Sequence, residues 1–291
     1  MTEKNCVKDG EFISVCGLTV RVYGNADRMG AAAASEAGRI LEDYTTGQKK
    51  PVVCVFAAAP SQDTFLEHLS MRKGIDWKLV TAFHLDEYLD LPRKHPNTFE
   101  VYLQKHIFEK VSLPGTNIHM IKSLGGSPDE IAGRYGAMLE EAVDGVRGQG
   151  GIYAAFIGIG VNGHIAFNEP GTDIYSSKWV LPIEIDDVSA RQQFDDYKNH
   201  PDPAARYASP QDVPRKALTM TCAAILEADR ILCMVPGRQK ADAVQKSLEG
   251  PVTQDVPASL LRKHPSASIY LDCESAGKLI LPPSVRRRAQ F

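Results

Sequence analysis

Residues 152–170 read IYAAFIGIGVNGHIAFNEP, and the expected architecture can be built outward from this stretch. Residues 152–157 are an apolar run that predicts a buried strand. The glycines that follow, within residues 158–163, let the backbone turn tightly and approach a ligand closely. His164 and Glu169 come next, so polar chemistry is predicted at the end of a strand, where open α/β sheets bind their ligands.

Length and composition indicate a folded domain. The chain has 291 residues, 43% of them hydrophobic, and its net charge of −3 implies no general attraction to nucleic acid. The six cysteines lack CxxC and zinc-ligand spacing, so we expect reduced thiols and no metal. The polar N-terminus and the lack of a membrane-length apolar run predict a cytoplasmic protein with no membrane partner. No repeat or linker interrupts the chain, which predicts one domain over residues 1–291.

Strands that alternate with helices predict a mostly parallel sheet with both faces covered. Strand patterns occur at 13–23, 51–56, 77–85, 117–121, 152–157, 179–185, 217–221, 231–235 and 268–271. Helix patterns occur at 26–44, 61–73, 98–109, 127–146, 223–228 and 237–248, with Ser61 and Ser127 as predicted caps. The polar, Pro-rich stretch 186–214 has no predicted element.

The glycine spacing in residues 158–163 matches the dinucleotide-binding fingerprint only as a bare pattern. That fingerprint needs a long helix directly after the glycines, whereas Pro170 arrives within seven residues of Gly163. It also needs an acidic residue at the end of the next strand, about 20 residues on, and the nearest candidates come later. We therefore favour a loop that closely approaches a small ligand, and expect no nicotinamide cofactor.

A second polar segment, residues 83–92, places Asp86 at the exit of another apolar strand. Alone, Asp86 is most simply a turn or helix cap. If both strand ends lie on one sheet edge, however, Asp86, His164 and Glu169 share a pocket. There a carboxylate can remove a proton beside a carbonyl, a histidine can carry protons to a ring oxygen, and a second carboxylate can orient the imidazole. A purely structural histidine is the alternative, which the shared glycine loop disfavours.

A third segment, residues 236–241, follows the strand pattern at 231–235. Gly237 ends the strand and a helix begins, so backbone N–H groups and the helix dipole would attract an anion. Lys240 adds a full positive charge. The alternative is an ordinary solvated helix face.

Together these segments resemble the glucosamine-6-phosphate deaminase family. The resemblance rests on residues 85–88 (LDEY), 163–170 (GHIAFNEP), 213–214 (VP) with 217–219 (ALT), and 237–241 (GRQKA), in family order across residues 50–272. It implies a three-layer α/β/α, Rossmann-like (NagB-type) fold with a mostly parallel sheet. It also implies a reaction without cofactor or metal: glucosamine 6-phosphate and water would give fructose 6-phosphate and ammonia through an enolamine.

The resemblance further implies roles for individual residues. His164 would assist ring opening, oriented by Glu169 and Asn162, and Asp86 would move a proton from C2 to C1. The implied substrate and phosphate contacts are Lys240, Ser61, Gln62, Gly160, Gly163 and Arg191. The expected partner is a small-molecule amino-sugar phosphate, with a homo-oligomer as one open assembly state.

Two alternatives stay open at this stage. Residues 57–59 read AAA where the family carries a loop rich in Gly, Thr and Ser for phosphate, which favours a non-catalytic sugar-phosphate-binding protein. The related 6-phosphogluconolactonases share the fold, and a lactonase needs no base at C2. The sequence leaves the sugar epimer open as well.

Overall fold

Strands and helices alternate along the chain in the computed structural model, which describes residues 11–15, 17–280 and 286–287. The strands are β1 Glu11–Val15, β2 Leu18–Tyr23, β3 Val52–Phe56, β4 Val80–His84, β5 Asp86–Tyr88, β6 Ile152–Ile157, β7 Val180–Glu184, β8 Lys216–Met220, β9 Arg230–Val235, β10 Ala267–Asp272 and β11 Arg286–Arg287. The α-helices are α1 Ala26–Glu42, α2 Asp63–Ser70, α3 Phe99–His106, α4 Pro128–Gly148, α5 Asp187–Tyr197, α6 Cys222–Leu226 and α7 Ala241–Glu249. The predicted polar N-terminus lies outside the described residues, as do Cys6 and Cys16.

The larger sheet has the strand order β11-β1-β2-β10-β9-β6-β3-β4. In this spatial order, each strand from β2 to β4 is parallel to its neighbours in that range. Only the pairs β1–β2 and β1–β11, at one edge, are antiparallel. A smaller antiparallel sheet has the order β5-β8-β7. The predicted α/β class with a mostly parallel sheet is confirmed, and β6, which carries the glycine loop, lies between β3 and β9.

Helices cover both faces of the larger sheet. Val53 and Val55 of β3 belong to a buried core that also contains Tyr135 of α4. The alternate residues Cys54 and Phe56 belong to a second core, shared with α1 and α2. Because successive side chains of a strand point to opposite faces, these two cores lie on opposite sides of the sheet. The three-layer α/β/α arrangement is confirmed.

The predicted strand at 77–85 is shorter in the structure, and the chain passes into the second sheet directly after it. After a 3-10 turn at Trp77–Leu79, β4 ends at His84 and β5 begins at Asp86. Leu85 bridges them: its N–H donates to the Phe56 carbonyl (3.2 Å), and its carbonyl accepts from the Met220 N–H (2.7 Å). The chain therefore leaves the parallel sheet just before Asp86, which places this carboxylate at the edge where the two sheets meet.

Helix α5 occupies part of the stretch in which no element is predicted. Its N-cap is Asp186, whose Oδ1 accepts a hydrogen bond from the Ser189 N–H at 2.6 Å. Four of its residues are buried: Ser189, Ala190, Gln193 and Tyr197. Because half of this buried face is polar, apolar periodicity gives no helix signal. The expectation of an irregular segment was wrong over residues 187–197.

Two predicted strands differ from the structure. Residues 13–23 contain the β1–β2 hairpin rather than one strand, and Gly17, with φ +87°, lies in its turn. Residues 117–121 form no strand. They connect two 3-10 turns, and a single bridge joins Ala82 to Ile118.

The predicted helix starts agree with the structure only in part. Ser61 lies inside a 3-10 turn, Pro60–Gln62, so it does not cap α2, which begins at Asp63. The predicted Ser127 cap of α4 is confirmed by a full capping box with Glu130. The helix expected from residue 237 begins at residue 241, after a 3-10 turn. Within the described ranges, no helix combines the length and apolar character needed to cross a bilayer.

Candidate active site

The loop after β6 folds back on itself and fixes His164. The Gly160 N–H donates to the His164 carbonyl (2.8 Å), and the Gly163 N–H donates to the Gly160 carbonyl (3.0 Å). Gly163 has φ +91°, a conformation that L side chains rarely adopt. A Cβ at position 160 would overlap the imidazole ring, so glycine is needed there for the ring to occupy its place.

A cavity opens at the carboxyl ends of the parallel strands. Both Asp86 and His164 line it, so two segments far apart in sequence meet in one space. Other predicted contacts that line it are Ser61, Gln62, Gly160 and Lys240. Lining residues that were not among the predicted contacts include Phe99, Phe167, Gln192 and Gln193.

His164 is held by three side chains behind the cavity. Its Nδ1 lies 2.9 Å from the Ser189 hydroxyl and 3.4 Å from Glu169 Oε2. Asn162 Nδ2 donates to the same Glu169 oxygen at 2.8 Å, and Asn162 Oδ1 accepts the His164 backbone N–H at 3.1 Å. Glu169 and Asn162 thus surround the histidine as expected, and Ser189 is an additional contact.

Glu169 is partly buried but ionised more readily than usual. Burial would raise the pKa of its carboxyl, but the hydrogen bond and charge of His164, with hydrogen bonds from Ser189 and Asn162, outweigh burial and lower the pKa. A negative charge is therefore maintained beside the imidazole. This charge can stabilise the imidazolium that forms when the ring takes up a proton.

The pKa of Asp86 is shifted in the opposite direction from that of Glu169. It is 8% exposed, and burial, followed by the negative charge of Glu87, raises the pKa of its carboxyl well above the usual range. In the described part of the chain no group donates a hydrogen bond to this carboxyl, which leaves both oxygens for a ligand. A positively charged ligand group would lower the pKa and generate the carboxylate base.

The Glu87 side chain does not line the cavity. Its carboxyl accepts the backbone N–H groups of Tyr88 (2.9 Å), Phe99 (3.2 Å) and Glu100 (2.9 Å), so it ties β5 to the start of α3. Burial raises its pKa to about 7 despite these hydrogen bonds. Its contribution is to fix the strand that carries Asp86 and to place Phe99 in the cavity wall.

Lys240 supplies a positive charge to the cavity lining. It is 5% exposed, and its Nζ donates to Gln192 Oε1 at 3.0 Å. Burial lowers its pKa to about 8, against the opposing effect of Asp196. The nearby Gly237 N–H is already bonded to the carboxylate of Asp272 at 3.0 Å, so Lys240 rather than that amide is available to an anion.

The remaining predicted contacts are placed differently from one another. Gln62 Nε2 donates to the Met234 carbonyl (3.3 Å) and to the Ser61 hydroxyl (3.1 Å), and Gln62 Oε1 has no partner among the described residues. Arg191 lies outside the cavity lining: its side chain is 62% exposed and its Nε donates to Asp195 at 3.1 Å. The structure therefore brings Ser61 and Gln62 to the cavity but not Arg191.

The contacts missed from the sequence mostly come from one helix face of α5. Ser189, Gln192, Gln193 and Asp196 recur at helical spacing, and the Gln192 oxygen accepts from both Lys240 and the Val161 N–H (2.9 Å). The cap Asp186 was the available signal, because aspartate is one of the residues preferred immediately before a helix begins.

The fold and this cavity define an α/β protein whose site can move protons on a small charged ligand. A family model for glucosamine-6-phosphate isomerases and 6-phosphogluconolactonases matches residues 25–193 and 192–270. The chain belongs to this family.

Individual relatives agree with the family match. A glucosamine-6-phosphate deaminase of Rhodopirellula baltica is 34% identical over 254 residues, which cover 86% of this chain and 92% of the relative. The solved structure of a monomeric glucosamine-6-phosphate deaminase of the NagB superfamily has a TM-score of 0.76 at 25% identity, covering 89% of this chain and 98% of that one. The 6-phosphogluconolactonase of Thermotoga maritima shares the fold, with a TM-score of 0.65 at 16% identity over 87% of this chain and 98% of that one.

Proposed function

We propose that this chain is a glucosamine-6-phosphate deaminase, which converts glucosamine 6-phosphate and water into fructose 6-phosphate and ammonia. The observation that carries the proposal is that Asp86, His164 and Lys240 line one cavity. A proton-transfer pair and a cation in one cavity match a sugar that reacts at C1 and C2 and carries its phosphate on C6.

Ring opening is the first step, and His164 performs it. The imidazole takes the proton of the C1 hydroxyl and returns a proton to the ring oxygen, which gives the open-chain aldehyde. The negative charge of Glu169 stabilises the intermediate imidazolium.

Asp86 then carries out the isomerisation. Its carboxylate removes the C2 proton, the electron pair forms a C1–C2 double bond, and the aldehyde oxygen takes up the proton that the C2 ammonium group gives up, which leaves the neutral enolamine. Protonation at C1 produces the imine at C2. Water adds to this carbon and ammonia leaves, so fructose 6-phosphate is the product.

The unusual electrostatics of Asp86 suit this role. Burial and Glu87 favour its neutral form in the empty cavity. The ammonium group on C2 of the substrate brings a positive charge next to it, and an opposite charge favours the carboxylate. The base therefore forms when the correct amino sugar binds, in a site where water competes poorly.

The test follows both products in one assay. Glucosamine 6-phosphate is added and ammonia and fructose 6-phosphate are measured together, with the wild-type chain and with Asp86→Asn. We expect equal amounts of both products from the wild type and a loss of about 10³-fold in kcat for the variant, because a positioned general base contributes on this scale.

The control is Asp90→Asn, an exposed aspartate four positions further along that is absent from the cavity lining. It should retain wild-type activity. If neither glucosamine 6-phosphate nor galactosamine 6-phosphate yields product, the proposal is wrong. Tight binding without turnover would instead support a non-catalytic sugar-phosphate-binding protein, which the alanines at 57–59 favour.

A sugar-phosphate lactonase is the second candidate, because the matching family model also covers 6-phosphogluconolactonases. Hydrolysis of a lactone requires no proton abstraction at C2. Asp86→Asn should therefore spare a lactonase while it abolishes isomerisation. Hydrolysis of 6-phosphogluconolactone by the variant at the wild-type rate would favour this candidate.

Location and assembly are part of the same proposal. A sugar phosphate carries a charge that does not cross a membrane unaided, so we place the reaction in the cytoplasm. The homo-oligomer stays a prediction, and light scattering on the purified chain tests it.

A further inference from the structure

We propose that Ser189 is a positioning residue that selects the tautomer of His164 used in ring opening. This inference rests on the proposed function. It concerns a side chain that does not line the cavity and that the sequence motifs do not include.

The distances identify Ser189 as the nearest side-chain partner of the imidazole. Its hydroxyl lies 2.9 Å from Nδ1, whereas the closest Glu169 oxygen lies 3.4 Å away, at the outer limit of a hydrogen bond. In the described part of the chain, Nε2 of His164 has no hydrogen-bond partner. The ring is therefore held through Nδ1, and Nε2 is the atom available to the substrate.

The hydroxyl is fixed before any ligand binds. Ser189 is fully buried, and its backbone N–H donates to the cap residue Asp186 at 2.6 Å, which locks it in the first turn of α5. Asp186 also accepts from Asn162 at 3.3 Å. The start of α5 and the His164 loop are thus joined on both sides of the imidazole.

The chemistry of the neighbours sets the direction of the hydrogen bond. A serine hydroxyl has one proton to donate and two lone pairs to accept. Glu169 keeps its negative charge and can only accept, so the serine proton is directed to Glu169 and the serine oxygen accepts from Nδ1–H. In the neutral ring this leaves Nε2 without a proton, which is the form that can take the proton of the C1 hydroxyl.

A serine that only fills space would give a different outcome. In that case Glu169 alone would orient the ring, and removing the hydroxyl would leave the tautomer and kcat unchanged. The same variant would lower only the thermal stability of the protein.

The experiment compares Ser189→Ala with Ser189→Thr, which keeps the hydroxyl. Ser247→Ala is the matched control, because Ser247 is equally buried in α7 and its hydroxyl bonds the Ala243 carbonyl at 2.7 Å, outside the cavity. Each protein is assayed for kcat and KM, and the His164 tautomer is read from the ¹⁵N shifts of its ring nitrogens in alkaline buffer. Thermal midpoints verify folding.

We expect Ser189→Ala to lower kcat by roughly tenfold with KM within about twofold, because the hydrogen bond accounts for part of a general acid–base effect of at least about 100-fold. The Nδ1–H tautomer should predominate in the wild type and in Ser247→Ala and lose population in Ser189→Ala, with recovery in Ser189→Thr. An Nδ1–H tautomer unchanged in Ser189→Ala, or an unchanged kcat, would overturn the inference. The spectra need no turnover, so an inactive wild type would refute the proposed function while the tautomer still decides the role of Ser189.

Discussion

In one region of the cavity, His164 is enclosed by Ser189, Glu169 and Asn162, and every contact is a defined hydrogen bond or ion pair. In the second region, Lys240 is the only lysine or arginine that lines the cavity among the described residues, and the lining also includes alanines 57–59. The first region is constrained by proton transfer, which needs fixed geometry. The second has only to hold a charge, and a single ammonium group can do this in several surroundings.

Among the substitutions that test this difference between the two regions, Gly160→Ala should have the largest effect on kcat. The new Cβ would overlap the imidazole and displace it from Ser189 and Glu169. We expect kcat for ammonia release to fall by about 100-fold or more, the range assigned to a positioned acid or base.

Gly145→Ala is the control for that change. Nothing lies within 4 Å of a Cβ at this exposed position of α4, so activity should be unaffected and the helix slightly stabilised. A Gly160→Ala protein with wild-type kcat would show that the exact place of the imidazole is unimportant.

Lys240→Met should give the next largest effect, and mainly on KM. Removing a charge-assisted hydrogen bond worth about 1.5–3 kcal/mol predicts a KM for glucosamine 6-phosphate that is about 10–100-fold higher. Turnover of unphosphorylated glucosamine should be equal in the two proteins. Lys246→Met, on the exposed side of α7, is the matched control. Equal losses on both substrates would assign Lys240 to structure rather than to phosphate binding.

A smaller effect should appear as a pH dependence of KM that is caused by Lys240. Burial lowers the pKa of Lys240 to about 8, so the ammonium form predominates below this pH and is lost above it. KM should therefore rise as the pH passes through about 8, and the profile should be flat in that range for Lys240→Met. A rising KM in the variant as well would assign the titration to another group.

The smallest effect is expected at the outer border of the cavity. Arg191 is mostly exposed and pairs with Asp195, so Arg191→Ala should change kcat and KM by less than about twofold, as for other surface substitutions. A large increase in KM would show that α5 turns Arg191 towards the phosphate when substrate binds.

Sequence reasoning was most successful where the signal is local. The apolar run of β6 is buried at all of its positions, and the glycines that follow form the expected tight turn, in which Gly163 has positive φ. The Ser127 capping box likewise needs only neighbouring residues. These features depend on propensity and backbone conformation within a few residues, which the chain itself specifies.

What the sequence did not reveal depends on tertiary contacts. The change of sheet at Leu85 depends on Phe56 and Met220, which supply the hydrogen bonds from other strands and are distant in sequence. Ser189 contacts His164 from a helix whose buried face is half polar, so neither the helix nor the contact leaves an apolar pattern. The two regions of the cavity were therefore predicted unequally: the glycine loop from its own residues, and the α5 side hardly at all.

The most direct test of the central claim, that Asp86 and His164 act on one sugar in one cavity, follows a single hydrogen. Glucosamine 6-phosphate deuterated at C2 is converted in D₂O, and the C1 methylene of the fructose 6-phosphate is examined by NMR. Since one carboxylate delivers the new hydrogen to one face, we predict deuterium at one of the two C1 positions only. Deuterium shared equally between both positions, or ammonia released without fructose 6-phosphate, would contradict the account.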